Sequence, residues 1–465
     1  MAPIGLKFGP GSSPGRHGLD GTAKIINGYA EALTNGKSEY AIYPAPGLKP
    51  WTRLDQSSWR GWIEVNGRLL IASGRVLYES DALGNVIEVA GLPGDGPVQF
   101  AKNAIADPDV MMVADGRAYH WKGGTLAALE TDILPSLVGV ILIRGRFMFA
   151  AVDGRCFYTD INSINIDGLS FSNAEGKPDG LVKPWGRRSE AWLLGTETTE
   201  LWSPTEDEND PFSPLGGGAL PIGCLCPGSV AENNDDIFWI DNKHQVRRAT
   251  GMQPKEISPP WVVRVIQNEP DKQSIVGTCY SVAGANWYEI SGSTFTLRYS
   301  LDAGHWVHRQ TGDLPRWRGQ GSIDFAGKTL IGDYASGDIW ELDANCHDDG
   351  DTAVVMRLQS PLVHASPGPI SIYSLHADII PSVGGNSTDP EIADPKAMLR
   401  MSYDGGKSWT RPLTARLGKQ GEYRRVIWRQ LGTYERGGVT FEIAISSKVA
   451  KCVMDCQING LSGSA

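Results

Sequence analysis

Residues 69–79 read Leu-Leu-Ile-Ala-Ser-Gly-Arg-Val-Leu-Tyr-Glu. Two short apolar runs flank the central Ser73-Gly74-Arg75 segment, and the second run contains an aromatic residue near its end. Short apolar runs around a glycine-containing segment are typical of a β-hairpin, because glycine adopts the backbone conformations that tight turns require. A single hairpin leaves both of its faces uncovered, so this stretch needs similar units stacked against it.

The same pattern recurs along the chain. The further stretches are residues 110–121, 147–158, 191–202, 237–246, 287–299 and 329–340. Consecutive stretches begin 37 to 50 residues apart, a spacing that is typical of propeller blades when only strand signals are present. The sequence therefore predicts an all-β protein containing a β-propeller of seven blades, or of six if one hairpin is an insertion. One or two large β-sandwiches are the alternative.

The pattern changes at both ends of this repeat. Residues 1–24 are rich in glycine and proline, so we expect an extended arm that is disordered or docked on a neighbouring chain. Residues 25–345 form the predicted propeller. A polar run at 343–353 marks a linker, and alternating strands within residues 352–465 predict an appended C-terminal β-sandwich.

Composition and charge exclude several classes of protein. The 465 residues carry a formal net charge of −10, which makes tight nucleic-acid binding a poor prediction because phosphate neutralisation requires lysine and arginine. The N-terminal residues do not resemble a signal peptide, and no apolar run is long enough to predict a membrane span. We expect the chain to fold in a cytoplasm.

Several polar segments could carry chemistry, but each has a simpler structural interpretation. The seven cysteines predict buried free thiols, including the close pairs Cys224 with Cys226 and Cys452 with Cys456. The acidic runs 206–210 and 347–351 predict solvated loops more readily than cation sites. Residues 183–188 place Trp185 among basic residues, which predicts a local interface or a salt-bridged loop more readily than nucleic-acid contact.

The most specific local motif spans residues 402–409 and resembles an Asp-box. Its characteristic positions are Ser402, Asp404, Gly406, Ser408 and Trp409. We predict a structural turn in which Asp404 accepts backbone hydrogen bonds, Gly406 adopts a positive φ and Trp409 packs under the hairpin. Residues 300–306 are a degenerate version. We predict no catalytic, cofactor-binding or metal-binding residues, since the sequence contains no nucleophile elbow or phosphate loop and lacks the signature of a sialidase.

A series of short motifs, taken in order, resembles the tail-hub proteins of short-tailed bacteriophages, also called packaged-DNA stabilisation proteins or tail nozzles. The motifs are at residues 27–31, 43–48, 143–147, 157–160, 178–180, 201–202, 401–405, 428–432, 441–445 and 457–458. Each motif is short, and their order and spacing carry the resemblance, which covers roughly residues 25–460.

The resemblance implies a structural protein of the virion tail, assembled in the host cytoplasm. It implies a homo-hexameric ring that joins the portal adaptor to tail spike, needle or fibre proteins. Such a ring retains packaged DNA and forms part of the ejection channel, through which DNA passes without sequence-specific binding. The alternative function is a carbohydrate-active or glycan-binding propeller, sialidase-like in its Asp-box.

Overall fold

The structure is a computed structural model, and it describes residues 4–18, 20–36, 38–129, 133–174, 179–207, 210–216, 219–364, 368–434 and 438–462, with residues 167–170 and 461–462 described by their backbone alone. The chain forms two compact units. Unit 1 comprises Met1–Lys49, Ser281–Arg318 and Leu342–Ala465, and unit 2 comprises Pro50–Tyr280 and Gly319–Glu341. The predicted boundaries 1–24, 25–345 and 352–465 differ from these units and stay a prediction.

The chain opens with six strands that later join sheets formed by distant residues. They are β1 (Ile4–Gly5), β2 (Ser13–Pro14), β3 (Thr22–Ile26), β4 (Gly28–Ala32), β5 (Tyr40–Pro44) and β6 (Gly47–Arg53).

Five four-stranded antiparallel sheets follow, each made of consecutive strands, and we call them blades 1 to 5. Blade 1 contains β7 (Trp59–Val65), β8 (Arg68–Ser73), β9 (Val76–Ser80) and β10 (Val86–Gly91). Blade 2 contains β11 (Gln99–Lys102), β12 (Val110–Ala114), β13 (Arg117–Lys122) and β14 (Thr125–Ala128). Blade 3 contains β15 (Leu137–Ile143), β16 (Arg146–Ala151), β17 (Arg155–Thr159) and β18 (Ile166–Asn173). Blade 4 contains β19 (Leu181–Arg187), β20 (Glu190–Gly195), β21 (Thr199–Pro204) and β22 (Phe212–Pro214), and blade 5 contains β23 (Ala231–Asn233), β24 (Asp236–Ile240), β25 (Val246–Thr250) and β26 (Gln253–Glu256).

Two further blades belong to larger sheets. Blade 6 contains β27 (Val276–Val282), β28 (Ala285–Ser291), β29 (Thr296–Ser300) and β30 (Trp306–His308), and it follows helix α1 (Pro260–Asn268). Blade 7 contains β31 (Gly319–Phe325), β32 (Lys328–Asp333), β33 (Asp338–Asp343) and the N-terminal strand β6. The described chain thus holds seven blades, and the predicted propeller is confirmed with the larger of the two expected blade numbers.

The seven hairpins predicted from the sequence are the second and third strands of the seven blades. Their side chains are almost continuously buried; every residue of β9, β12 and β29, for example, is buried. Tight turns with two positive φ angles, such as Asn66-Gly67 and Arg144-Gly145, connect the first strand to the second in several blades. Such turns match the right-handed twist of the strands that they join.

The C-terminal region adds the remaining elements. They are β34 (Asp348–Asp349), β35 (Thr352–Ala353), β36 (Met356–Gln359), β37 (Ile370–Ile379), α2 (Pro390–Ala393), β38 (Lys396–Ser402), β39 (Leu413–Arg416), β40 (Val426–Tyr434), β41 (Thr440–Ile445) and β42 (Val453–Ser462). One sheet has the order β4-β5-β42-β37-β40, and the order β3-β36-β41-β38-β39 continues from β30 of blade 6. Residues of both sheets share one apolar core. The assignment of a separate sandwich to residues 352–465 stays a prediction.

The N-terminal arm is anchored within unit 1. Strand β1 pairs with β42 and β2 pairs with β3, while Leu6 and Phe8 are buried in the shared apolar core. The described part of the arm therefore pairs with strands of its own chain, and its few large apolar side chains contribute to the core.

Candidate functional site

The first strands of the blades form a closed inner layer in unit 2. The Trp62 indole N–H donates to the Ser322 carbonyl at 3.1 Å, which joins blade 1 to blade 7. The Trp185 indole N–H donates to Glu232 Oε2 at 2.9 Å, which joins blade 4 to blade 5. Strands β11, β15 and β19 also lie against one another. Ser322 Oγ donates to the Cys279 carbonyl at 2.7 Å and joins blade 7 to blade 6.

Glycines allow these strands to approach closely. A Cβ atom on Gly61 would lie 2.3 Å from the Val98 carbonyl oxygen, and one on Gly277 would lie 2.3 Å from the Ser229 carbonyl oxygen. Side chains also reach across the layer, since Gln99 Nε2 in blade 2 donates to the Pro184 carbonyl in blade 4 at 3.0 Å. The inner strands of blades 2 to 4 are therefore closely packed.

The basic segment 183–188 is part of this packing. Arg187 Nη1 donates to the Gly251 carbonyl at 2.7 Å, and Arg188 pairs with Asp235. Burial lowers the pKa of Lys183 to about 8, and the nearby Cys224 opposes that shift. The contacts of Trp185, Arg187 and Arg188 run to the neighbouring blade 5, in line with the predicted local interface.

The Asp-box residues meet in one turn at the end of β38. Asp404 Oδ1 accepts the backbone N–H groups of Lys407 and Ser408, both at 2.9 Å, and the Ser402 hydroxyl at 2.8 Å. Asp404 Oδ2 accepts the Ser408 hydroxyl at 2.6 Å, and Gly406 has φ +87°. These hydrogen bonds, that from Ser408 first, hold the pKa of Asp404 well below its usual value. Both carboxylate oxygens are thus engaged within the turn, and its purely structural role is our proposal.

Trp409 ties the turn to the sheet beneath it. The Arg400 guanidinium lies 5.4 Å from the centroid of the half-buried Trp409 ring and pairs with the buried carboxylate of Glu442 on β41. The backbone N–H of Thr410 donates to the Met401 carbonyl at 2.9 Å and closes the loop. An aromatic ring and an ion pair therefore anchor the Asp-box at its base.

The tip of the Asp-box touches the N-terminal arm. A Cβ atom on Gly18 would lie 2.3 Å from the Gly405 carbonyl oxygen, so the two backbones are in contact. The arm forms its own turn there, in which Asp20 Oδ1 accepts the N–H of His17 at 2.7 Å. Thr22 then donates to the Ser360 carbonyl at 2.7 Å. The arm and the Asp-box were separate features of the sequence, and the structure brings them together.

The acidic runs do not form a metal site among the described residues. No group of three His, Cys, Asp or Glu side chains placed to hold a metal occurs in that part of the chain. In the first run, Glu208 and Asn209 lie outside the described residues, as does Pro178 of the motif at 178–180. In the second run, Asp348 pairs with Lys448 at 2.9 Å, and Asp349 Oδ2 accepts the Thr311 hydroxyl at 2.9 Å.

The seven cysteines are free thiols. Burial raises the pKa of Cys224 to about 12, and it also raises the pKa of Cys452. Thiols with raised pKa values stay protonated near neutral pH and are poor nucleophiles. Across the described residues, no helix has the length and apolar composition needed to cross a membrane.

Sequence reasoning missed a buried cluster of arginine and aromatic residues in unit 1. The Arg298 guanidinium lies 4.1 Å from the centroid of the Trp287 ring, and Arg309 lies 4.0 Å from that of Trp317. Both arginines are almost completely buried. In the sequence, Arg298 stands between Leu297 and Tyr299 in a short strand. An arginine is usually expected to be exposed to solvent, so this position did not indicate a buried cluster.

One family model matches most of the chain. It is described as bacteriophage P22 Gp10, beta-propeller, and it covers residues 22–347, including all seven predicted hairpins. The chain belongs to this family. It is accordingly a structural protein of a bacteriophage virion that contains a propeller, and the family implies a non-enzymatic role.

No curated protein matches this chain. Solved structures resemble it at low identity. The extracellular domain of the hybrid two-component system BT4673 of B. thetaiotaomicron is 10% identical with a TM-score of 0.44, over 76% of this chain and 43% of that one. YCF48 from Cyanidioschyzon merolae is 10% identical with a TM-score of 0.42, over 64% of this chain and 99% of that one. The Cps50 (Swd1) propeller domain of Myceliophteria thermophila is 8% identical with a TM-score of 0.43, over 64% and 99% respectively.

Proposed function

We propose that this chain is the subunit of a tail hub or nozzle. In this proposal its copies form a homo-hexameric ring that joins the portal-adaptor complex to the tail spike, needle or fibre proteins. The ring retains packaged DNA and forms part of the ejection channel, and it is assembled in the host cytoplasm. The observation that carries the proposal is the family match over residues 22–347.

In the proposed ring, the DNA channel lies between copies of the chain. A ring closed by rotation uses two different surfaces of each copy, which is the arrangement that we propose.

The net charge of the chain supports a channel wall to which DNA does not bind while it passes. With a net charge of −10 and a pI near 5.4, the chain as a whole repels phosphates, and few counterions would be released on contact with DNA. A wall of this kind avoids trapping the genome in transit. A channel wall that proved strongly basic would contradict this part of the proposal.

The direct test uses DNA-filled heads that carry the portal and adaptor but no further tail parts. The purified chain is added, and both its co-sedimentation with the heads and the nuclease-sensitive fraction of the DNA are measured. We expect the chain to bind at the adaptor and to reduce DNA loss. Failure to associate, under conditions in which other tail components assemble, would contradict the proposal.

A further inference from the structure

Arg298 is a buried cation whose guanidinium makes no hydrogen bond within the part of the chain that the structure describes. It lies in the middle of β29 with no exposed surface, and none of its three guanidinium nitrogens has a hydrogen-bond partner among the described residues. Arginine stays charged under all conditions that a protein tolerates, so it cannot relieve the burial by losing a proton. Buried charges are normally paired and hydrogen-bonded, which makes this position exceptional.

The carboxylate on the neighbouring strand opposite Arg298 does not form a hydrogen bond with it. Glu289 lies opposite Arg298 on β28, and opposite residues of an antiparallel pair share a face. Glu289 has an interaction of its own, and among the described residues no nitrogen of Arg298 has a hydrogen-bond partner. The aromatic contacts stabilise the cation only in part, because ring faces attract the charge but accept no strong hydrogen bonds.

The surrounding groups add donors rather than acceptors. The Trp287 ring lies under the guanidinium, and its buried indole N–H also has no partner. Arg309 directly follows β30 and lies opposite Thr296, which places it on the same face of the sheet as Arg298. Among the described residues, its Nε and Nη1 also have no hydrogen-bond partner. Arg309 Nη2 and Asp349 Oδ1 lie 3.5 Å apart, so Asp349 already faces Arg309.

From this geometry we propose that Arg298 binds a small inorganic anion, to which the Trp287 indole N–H donates a further hydrogen bond. The anion supplies the acceptors that the cluster lacks. Tyr29, which is half-buried, packs edge-on against Trp287 with ring centroids 5.1 Å apart and lies 5.7 Å from the Arg298 guanidinium. This proposal is independent of the proposed function.

The test has two measurements on the full chain purified in sodium gluconate. The first is the thermal midpoint in gluconate, chloride or phosphate at equal ionic strength, which distinguishes a halide from an oxyanion. We expect a saturable rise with one of the two anions, since a ligand of the native state alone stabilises it in proportion to its occupancy. The second is ion analysis of the acid-denatured protein, which would detect a single tightly held anion per chain.

Variants separate this site from general salt effects. Arg298→Met should abolish both the anion-dependent rise and the released anion. Trp287→Phe keeps the ring but removes the indole N–H, and it should weaken anion binding about tenfold, the effect of one hydrogen bond. The control is Arg248→Met, because Arg248 also lies over a ring, that of Phe238 at 5.8 Å, but pairs with Asp236 at 2.6 Å. It should keep the anion response.

Equal midpoints in all three salts together with no released anion would overturn the proposal, because water would then satisfy Arg298. An anion response that Arg298→Met retains would overturn it too. If Arg298→Met does not fold, Trp287→Phe decides: an anion affinity equal to that of the unmodified chain would contradict the site.

Discussion

At the scale of single residues, Asp404 shows how a carboxylate can support a turn. Its oxygens accept two backbone N–H groups and two hydroxyls within the span 402–408. The residues that make these contacts are all neighbours in the sequence, which is why the motif could be interpreted before the structure was known. Arg298 is the opposite case, because its surroundings come from β4 and β28 as well as its own strand.

Replacing Asp404 tests the turn. Asp404→Ala should lower the urea midpoint of unfolding, because the turn loses all of these acceptors. The hydrogen bonds hold the pKa of Asp404 below its usual value, so its contribution is complete above about pH 4 and is lost as the pH falls through the folded-state pKa. The difference in midpoint between the two proteins should therefore be constant from pH 5 to 7, by this reasoning, and should shrink on acidification below about pH 4.

The matched control is Asp313→Asn, since Asp313 is also exposed and lies outside the turn. Its midpoint should follow that of the unmodified chain at every pH. A difference for Asp404→Ala that grows on acidification would contradict the role given to this carboxylate.

At the scale of elements, the sequence predicted the two central strands of each blade and missed the outer ones. The central hairpins combine continuous burial with a local turn, so both signals lie close together in the chain. The outer strands lack such a signal: β10 is at most half-buried, and β7 interrupts its apolar residues with Arg60 and Gly61. Strand β6 could not be assigned to blade 7 because its partner is nearly 300 residues away.

The inner layer depends on glycines where strands meet. Gly61→Ala should destabilise the chain by about 1–3 kcal/mol, the usual cost of overpacking, because the new Cβ would lie 2.3 Å from a backbone oxygen that cannot easily move. Urea unfolding measures the change. Gly96→Ala is the control, since no atom lies within 4 Å of its Cβ position, and it should stay within about 0.5 kcal/mol. Equal effects of the two substitutions would contradict the close approach at Gly61.

The N-terminal arm was predicted to be free or docked on a neighbour, and a single side chain tests its position. Phe8 is 5% exposed in the shared core of unit 1, so Phe8→Ala should cost about 3–5 kcal/mol. Lys7→Ala is the control, because Lys7 is exposed and pairs with the exposed Glu39, and it should change stability by less than about 1 kcal/mol. A neutral Phe8→Ala in urea unfolding would show that the arm does not contribute to this core.

At the scale of the whole molecule, the repeat predicted a propeller, and the family match agrees with it. What the repeat could not predict is the position of the strands before and after it, which depends on contacts between residues far apart in sequence. The net charge of −10 is the whole-chain property that bears most directly on DNA.

The charge leads to a prediction for binding in solution. The chain should not retain duplex DNA on a filter at about 0.15 M salt, where charges are screened beyond roughly 8 Å and a net negative protein releases few counterions. Binding measured over a range of salt concentrations checks this. Tight binding that weakens steeply with added salt would reveal several phosphate contacts and would contradict passage without retention.

The central claim is that this family member forms a ring on the axis of a phage tail. Electron microscopy of the assembled particle tests it most directly. We predict six copies of the chain around the axis, next to the portal adaptor, with the DNA path between the copies and not through any one propeller. Density for the chain away from the axis, as a peripheral spike or fibre, would contradict the account.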